Sequence, residues 1–420
     1  MAQSYLPLKG MPDLASPQVE VWQFLETSAR EVLARYGFSE VRTPLLEKLE
    51  TFTRSIGDTT DIVQKEMYAF TDRGNRNIAL RPEGTAGVMR YVAGAGQAAQ
   101  DARLYYMGPM FRAENVQAGR YRQFSQLGVE MIGPPNAAAD VEIMDLQRAL
   151  LSAWGIEDAS FQINTRGMPD DMDAVRNGLR DLLASEKGAL CGDCQRRFET
   201  NLLRVLDCKV PGCKEVVSAL PPMTEYMSEA SRDYLAEVEK GLQLLNLPCR
   251  INPLLVRGLD YYVNTVWEIT SGALGAQNAL SGGGRYQIDM GGRAVDGVGF
   301  GIGLNRIFMV LADKYPDLME RFAQPMVMVV GQDEAMFEEN RKLVQQLRNA
   351  GIPCIMELTS RSIKAQLKAA NRKAVNVVVI RGETERENDT CQLKSMDEGT
   401  QKEVAMEDLV AVLGHELGLK

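Results

Sequence analysis

Residues 297–303 read Gly-Val-Gly-Phe-Gly-Ile-Gly, and Leu304-Asn305-Arg306 follow. The alternation has the period of a strand, so Val298, Phe300, Ile302 and Leu304 make one packed face while the other face carries no side chains. Glycine weakens a strand, because it has more backbone entropy to lose and packs nothing. A bare face of this length marks a place where something lies flat against the backbone, and an adenine ring or another backbone would fit. The spacing is not the GxGxxG dinucleotide fingerprint, and no helix opens in that register. The chain also lacks any Gly-Lys dipeptide, which excludes a Walker A loop.

The repertoire of reactive groups is narrow. One histidine occurs, His415 near the C-terminus, which removes His-based triads, HExxH zinc sites and His general bases. Chemistry must run on Arg, Glu, Gln, Tyr, backbone groups or a metal. The net charge of −9, from 47 basic and 56 acidic residues, requires any nucleic-acid surface to be local. Seven cysteines in a chain without an export signal argue against a disulfide framework. The longest uncharged stretches, such as Tyr91–Gln100 and Ile269–Gly284, are rich in Gly, Ala and polar residues and could not span a bilayer. Met1–Asp13 lacks the basic-then-apolar pattern of a signal peptide. A soluble, cytoplasmic protein with no membrane partner is expected.

With 420 residues, two or three domains are expected. The first segment predicts a helix from Pro17 to about Tyr36, with a Ser16 cap and Gly37 closing it. A short strand, Phe38–Pro44, follows. Residues 103–112 and 121–132 predict two strands joined by the polar loop Ala113–Arg120. Residues 168–245 are helical in pattern, carry four of the seven cysteines and read as an insertion. Strand signals return from Ile251 to Leu304, and residues 312–325 read as a linker. Beyond it, Val327–Val330, Ile352–Met356 and Val375–Ile380 alternate with helix patterns, which indicates a separate small α/β domain.

Four segments carry candidate chemistry. In Tyr121–Met131, Leu127, Val129 and Met131 form a core face, while Phe124, Gln126, Gly128 and Glu130 share the other. A hairpin would bring Arg112 alongside; taken alone, the pattern reads as a half-solvated sheet. Arg257-Gly-Leu-Asp-Tyr-Tyr262 sets a planar cation beside two phenols, suited to a carboxylate or phosphate. In Arg81-Pro-Glu-Gly-Thr85, Glu83 and Thr85 could hold an ammonium group. The fourth is the glycine strand with Arg306.

Phe111-Arg-Ala-Glu114 … Gly119-Arg-Tyr-Arg-Gln-Phe-Ser-Gln126 resembles motif 2 of the class II aminoacyl-tRNA synthetases. Gly297–Arg306 resembles motif 3 and Gly37-Phe-Ser-Glu-Val-Arg-Thr-Pro44 resembles motif 1. Arg257–Tyr262 and Arg81–Thr85 narrow the likeness to the histidyl-tRNA synthetase family, and it spans nearly the whole chain. The resemblance implies an α+β fold: an antiparallel sheet of six strands flanked by helices in a catalytic domain (1–325), with a helical insertion (about 168–245) and a C-terminal α/β anticodon-binding domain (326–420). It implies a homodimer built partly on motif 1. The implied activity is ATP-dependent ligation of L-histidine to tRNA(His) through histidyl-adenylate, with Mg²⁺ on the ATP phosphates.

By the same resemblance, Arg112 and Arg257 would be catalytic at the carboxylate and α-phosphate. Glu114, Arg120, Tyr121, Phe124 and Arg306 would bind ATP along with Arg112. Glu83, Gly84, Thr85 and Gln126 would take the histidine amino group, and Glu130, Tyr261 and Tyr262 would surround the imidazole. Arg361, Lys364, Lys368 and Arg372 recur along one face of a predicted helix opposite Ile363, Leu367, Ala370 and Ala374, a single-sign stripe that suits tRNA phosphates.

The chain departs from the family pattern at Asn115-Val-Gln117, Ala118, Ser125 and Asn305. A catalytically silent paralogue, the regulatory subunit of ATP phosphoribosyltransferase, is the alternative. Such relatives typically lack the C-terminal domain and parts of the arginine-tyrosine motif. Separately, Cys191-x₂-Cys194 and Cys208-x₄-Cys213 are compatible with a structural Cys₄ zinc site, but small buried cysteines are common and free thiols are the slightly favoured reading.

Overall fold

A computed structural model describes all residues except 1–4, 58–59, 100, 134, 260, 273–278, 291, 293, 332–333, 359–360 and 420. The chain divides into two compact units, Met1–Phe322 and Ala323–Lys420. Among the described residues no helix is long and apolar enough to cross a membrane.

The first unit holds strands β1 (Ser39–Glu40), β2 (Leu46–Lys48), β3 (Ala69–Thr71), β4 (Asn77–Leu80), β5 (Arg103–Phe111) and β6 (Gln123–Ile132). It continues with β7 (Phe161–Thr165), β8 (Cys249–Ile251), β9 (Tyr262–Thr270), β10 (Ala279–Asp289) and β11 (Ala294–Gly303). The main sheet runs β1-β5-β6-β11-β10-β9-β7-β8. Its six central strands are antiparallel, and β1 and β8 add a short parallel strand at each end. Strands β2, β4 and β3 form a small separate sheet.

Period-two patterning decides which face of the main sheet is buried by helices. Leu127, Val129 and Met131 of β6 and Val298, Phe300 and Ile302 of β11 enter a core with Trp267 and Ile269. Helices Gln18–Arg35, Ala137–Ala153, Glu229–Leu244 and Leu304–Lys314 cover that face. A buried ion pair, Arg285 to Asp140 at 2.6 Å, ties the second of these helices to β10. The opposite face meets helix Thr85–Ala95 and carries the site.

The first helix starts at Gln18, with Pro17 flanking it and no side-chain cap, so Ser16 does not play the part expected of it. Its end follows expectation. Gly37 has φ +75°, and the N–H groups of Gly37 and Phe38 reach the carbonyls of Ala34 and Leu33, a Schellman closure that drops Phe38 into the core. Of the strand expected at Phe38–Pro44, only Ser39–Glu40 pairs.

The stretch 168–245 is helical, yet it serves two cores. Helices Pro169–Ala184, Gly192–Thr200 and Pro211–Ser218 enclose a small core from Val175 to Met227. Glu229–Leu244 instead packs Leu235, Val238 and Leu242 against the main sheet. An amphipathic stripe specifies that a face is buried but not which neighbour buries it. The expected linker at 312–325 is likewise partly structured, since Leu304–Lys314 runs into it and Leu318 is buried in the main core.

The second unit is a five-stranded sheet of β12 (Val327–Gly331), β13 (Cys354–Met356), β14 (Val377–Arg381), β15 (Thr390–Ser395) and β16 (Gln401–Ala405). The order is β13-β12-β14-β15-β16, parallel up to β14 and antiparallel beyond it. The hairpin β15–β16 extends the three strands that the sequence predicts.

Candidate active site

The floor of the site is made of glycine. In the β10–β11 pair Gly282 faces Gly301 and Gly284 faces Gly299, while β6 sets Glu130 beside Gly299 and Gln126 beside Gly303. A Cβ at Gly299 would overlap Glu130, one at Gly301 Gln126, one at Gly297 the Tyr286 hydroxyl, one at Gly284 Tyr262, and one at Gly282 the Arg257 guanidinium. The bare strand face expected to receive an adenine ring or another backbone is thus occupied first by side chains of the site itself. Gly128 acts the same way: it admits the ring of Tyr106, which accepts a hydrogen bond from Gln126 Nε2 at 3.2 Å.

Glu130 lies at the bottom, 1% exposed. Its Oε1 accepts from the Thr85 hydroxyl at 2.7 Å, while Oε2 has no hydrogen-bond partner, nor does the nearby buried hydroxyl of Tyr286. Loss of water pushes the Glu130 carboxyl up from 4.5 to about 8; the Thr85 bond and the adjacent Tyr286 hydroxyl oppose the shift, and the charge of Glu83 adds to it. An unpartnered carboxylate oxygen in such a place awaits a donor. Tyr261 and Tyr262, whose orientation strand parity cannot settle, both line this end, their ring centroids 4.8 Å apart. Asp260, in the same motif, lies outside the described residues.

Glu83 has a second task. Its two oxygens accept the N–H groups of Thr85 at 2.8 Å and Ala86 at 2.7 Å, so it caps helix Thr85–Ala95 from within the cavity wall. Gly84 is the N-cap of that helix and faces Tyr106 rather than lining the cavity. Arg81 is structural; its guanidinium donates to the carbonyls of Pro109 and Thr43.

At the other end cations gather. Arg112 donates Nε to the Pro82 carbonyl at 2.8 Å and sits 5.4 Å from the centroid of the Phe124 ring. Arg257 pairs with Glu268 at 2.7 Å, and its buried Nε has no partner. Arg120 pairs with Glu114 at 2.9 Å, and Arg306 donates to the Ala279 carbonyl. Burial, and then the charge of Arg120, hold the Arg306 guanidinium below its usual range, as expected where cations crowd together.

One cavity of about 540 Å³ is lined by Glu83, Thr85, Arg112, Glu114, Arg120, Tyr121, Phe124, Gln126, Glu130, Arg257, Tyr261, Tyr262 and Arg306. The residues expected around it, Gly84 apart, therefore meet, although they come from distant parts of the chain. Tyr286 and Glu268 also line it and were not anticipated. The run Ser281-Gly-Gly-Gly-Arg-Tyr286, a second glycine cluster on a neighbouring strand, was the available signal. The departure at Asn305 has a use: its Oδ1 accepts the Ser125 N–H at 2.9 Å and joins the start of helix Leu304–Lys314 to β6.

Two further groups lie elsewhere. Lys364, Lys368 and Arg372 are exposed along helix Ile363–Arg372, which turns Gln366, Ala369 and Ala370 inward; Arg361, expected on the same helix, is exposed but precedes its N-cap Ser362 and lies 4.0 Å from Glu357. Ala374, expected on the buried face, is past the helix end with φ +51° and is exposed. The Sγ atoms of Cys191, Cys194, Cys208 and Cys213 lie within 4.8 Å of one another in the 169–227 lobe.

Residues 10–307 match the family Histidyl-tRNA synthetase, and residues 324–416 match the family Anticodon binding domain. The histidine–tRNA ligase of Syntrophotalea carbinolica is 40% identical over 411 residues, covering 97% of each chain. That of Trichlorobacter lovleyi is 41% identical over 409 residues, covering 95% of this chain and 96% of the relative. The crystal structure of apo histidyl-tRNA synthetase from S. aureus superposes with a TM-score of 0.77 at 29% identity, covering 98% of this chain and all of the other.

Proposed function

The chain belongs to the histidyl-tRNA synthetase family and is an enzyme of the histidine–tRNA ligase class, and from that premise we propose how its own groups carry the two steps. Histidine and ATP react to histidyl-adenylate and pyrophosphate, and the histidyl group then passes to the 3′-terminal adenosine of tRNA(His). In the first step a histidine carboxylate oxygen bonds to the α-phosphorus and the bond to pyrophosphate breaks. Both partners are anionic, so cations placed where charge builds up lower the barrier.

Arg112 and Arg257 take that place in the proposal, one from each side of the α-phosphate. Arg120 and Arg306 hold the outer phosphates, with Glu114 orienting Arg120, and Tyr121 and Phe124 lie against the adenine. Glu83, Thr85 and Gln126 receive the ammonium group. Glu130 and the tyrosines 261 and 262 receive the imidazole. The observation that carries the reading is the buried Glu130, with one oxygen left over after its bond to Thr85, in one cavity with Arg112, Arg120, Arg257 and Arg306.

Mg²⁺ is typical of ATP-dependent enzymes of this class, and hard oxygen donors suit it. Glu114 and Glu268 are the carboxylates paired to arginines at the phosphate end and would hold it together with the ATP oxygens. Bound there it neutralises the leaving pyrophosphate. We further propose a cytoplasmic homodimer resting on Gly37–Pro44. The exposed apolar residues Leu45, Leu46 and Phe70 close to that segment in sequence and on the small sheet favour it.

Amino-acid-dependent exchange of pyrophosphate into ATP, run over all twenty amino acids, tests the assignment. Exchange with histidine alone is expected; exchange with none would favour the silent regulatory paralogue, for which no finding speaks. The exposed basic stripe is proposed as tRNA contact. Reversing Lys364 and Lys368 to Glu should raise the KM for tRNA at least about tenfold and flatten its salt dependence, because each lysine neutralises a phosphate. Histidine-dependent exchange should be unaltered. An unchanged tRNA KM would remove the stripe from the interface.

A further inference from the structure

Cys191, Cys194, Cys208 and Cys213 come from two segments and converge in the core of the 169–227 lobe. Their four Sγ atoms all lie within 4.8 Å of one another, and Cys191 Sγ is 3.9 Å from Cys208 Sγ. Four thiolates around a zinc ion with bonds near 2.3 Å stand about 3.8 Å apart along each tetrahedral edge. Two disulfides would instead bring the sulfurs together in pairs at about 2.05 Å. All four thiols are free.

The backbone is arranged for the same end. Cys191 is the N-cap of helix Gly192–Thr200 and Cys194 sits in its first turn, while Cys213 sits in the first turn of Pro211–Ser218. Both helix N-termini therefore face the sulfurs, and the Cys191 N–H donates to Cys213 Sγ at 3.1 Å. Such placement favours negative charge on sulfur, which a metal requires. The lobe has little else to hold it: its core is a short set of apolar residues in which three of the cysteines are themselves buried members. Small units of this size are commonly stapled by a metal or disulfides.

We propose that these four cysteines bind one structural Zn²⁺, or another soft divalent ion, each thiol releasing its proton on coordination. The ion has a consequence for the cavity. Arg204, Asp207 and Lys209, which flank or precede Cys208, line the cavity wall, and Arg204 and Arg197 approach Asp61 across it at 3.5 and 3.9 Å. Clamping Cys208 fixes that wall.

Protein prepared under reducing conditions without chelator should contain one equivalent of zinc per chain by elemental analysis. Its Co²⁺-exchanged form should show the strong visible bands and thiolate-to-metal charge transfer of a tetrahedral tetrathiolate. Zinc should leave on treatment with a mercurial, and proteolysis within 169–227 should then quicken at least tenfold. Cys208→Ser should lose the metal while Cys249→Ser keeps it. If Cys208→Ser does not fold, the Co²⁺ spectrum of the unaltered protein still decides. Metal well below one equivalent after incubation with Zn²⁺, with all four thiols reacting freely, would overturn the proposal, as would two disulfides and no metal.

Discussion

Replacing Glu130 by Ala should abolish histidine-dependent pyrophosphate exchange, a loss of about 10⁴-fold or more in kcat/KM. Sites built to hydrogen-bond a polar group lose that much when the pairing is removed. Glu130 is the one buried carboxylate of the site with an oxygen left over after its protein contacts, among the described residues. Glu83, its nearest counterpart, has both oxygens engaged by the N–H groups of its own helix. Near-normal exchange in the variant would remove the imidazole from this position.

The same carboxyl carries a stability signature of the opposite sign. Its folded pKa, about 8, lies above the unfolded 4.5, so the folded state holds the proton more tightly. Stability is therefore full below pH 4.5 and declines as pH rises toward 8, by about 1.4 kcal/mol per unit in that window. Thr85, Glu83, Tyr286, Tyr106 and Tyr262 are the polar groups that surround it. None supplies a cation, and the Thr85 and Tyr286 hydroxyls offset the burial only in part. Glu130→Gln, which keeps the volume, should melt higher than the parent at pH 8, with the gap closing toward pH 5. If Glu130 receives the imidazole as proposed, the free enzyme is destabilised where its substrate binds, a usual trade between stability and function.

How much of this was legible follows from what each signal encodes. Period-two alternation names a face, so Gln126 and Glu130 could be put on one side of β6 and Leu127, Val129 and Met131 on the other before any fold was known. Alternating glycines state that a face is bare. They do not state what fills it, because Tyr286, Arg257 and Tyr262 arrive from strands and loops far away in the chain. Glu-Gly-Thr before an apolar helical run also encodes a helix cap at Glu83, a role that the ammonium-binding reading of Glu83 and Thr85 does not capture. The helix Glu229–Leu244 shows the limit of amphipathicity: its stripe fits the lobe and the main sheet equally well, and only tertiary packing selects. Helical spacing continued past Arg372 would put Ala374 on the buried face, but the helix ends there and Ala374 itself turns to φ +51°. Spacing brought the four cysteines under notice; convergence to one point needed the fold.

Arg257→Ala should cut adenylate formation by about 10²–10³-fold while histidine binding, read by equilibrium dialysis, stays within a few-fold. Charge-stabilising donors removed one at a time cost that much in rate. The expectation that kcat falls and binding does not rests on where the group is held. The guanidinium lies over Gly282, where a Cβ could not fit, one Nη is committed to Glu268, and the buried Nε has no partner. Arg112 is similarly restrained through its Nε on the Pro82 carbonyl and its stacking on Phe124. In the proposed mechanism two pre-oriented cations need no rearrangement as charge develops at phosphorus, which is why the effect falls on rate. The fold should survive the change, because Glu268 is 22% exposed and water can reach it once Arg257 is gone. Arg257→Lys should restore little, since a point charge cannot bond Glu268 and a phosphate oxygen in one plane. If the alanine variant formed adenylate within fivefold of the parent rate, the phosphate would have to be activated by Arg112 without this partner.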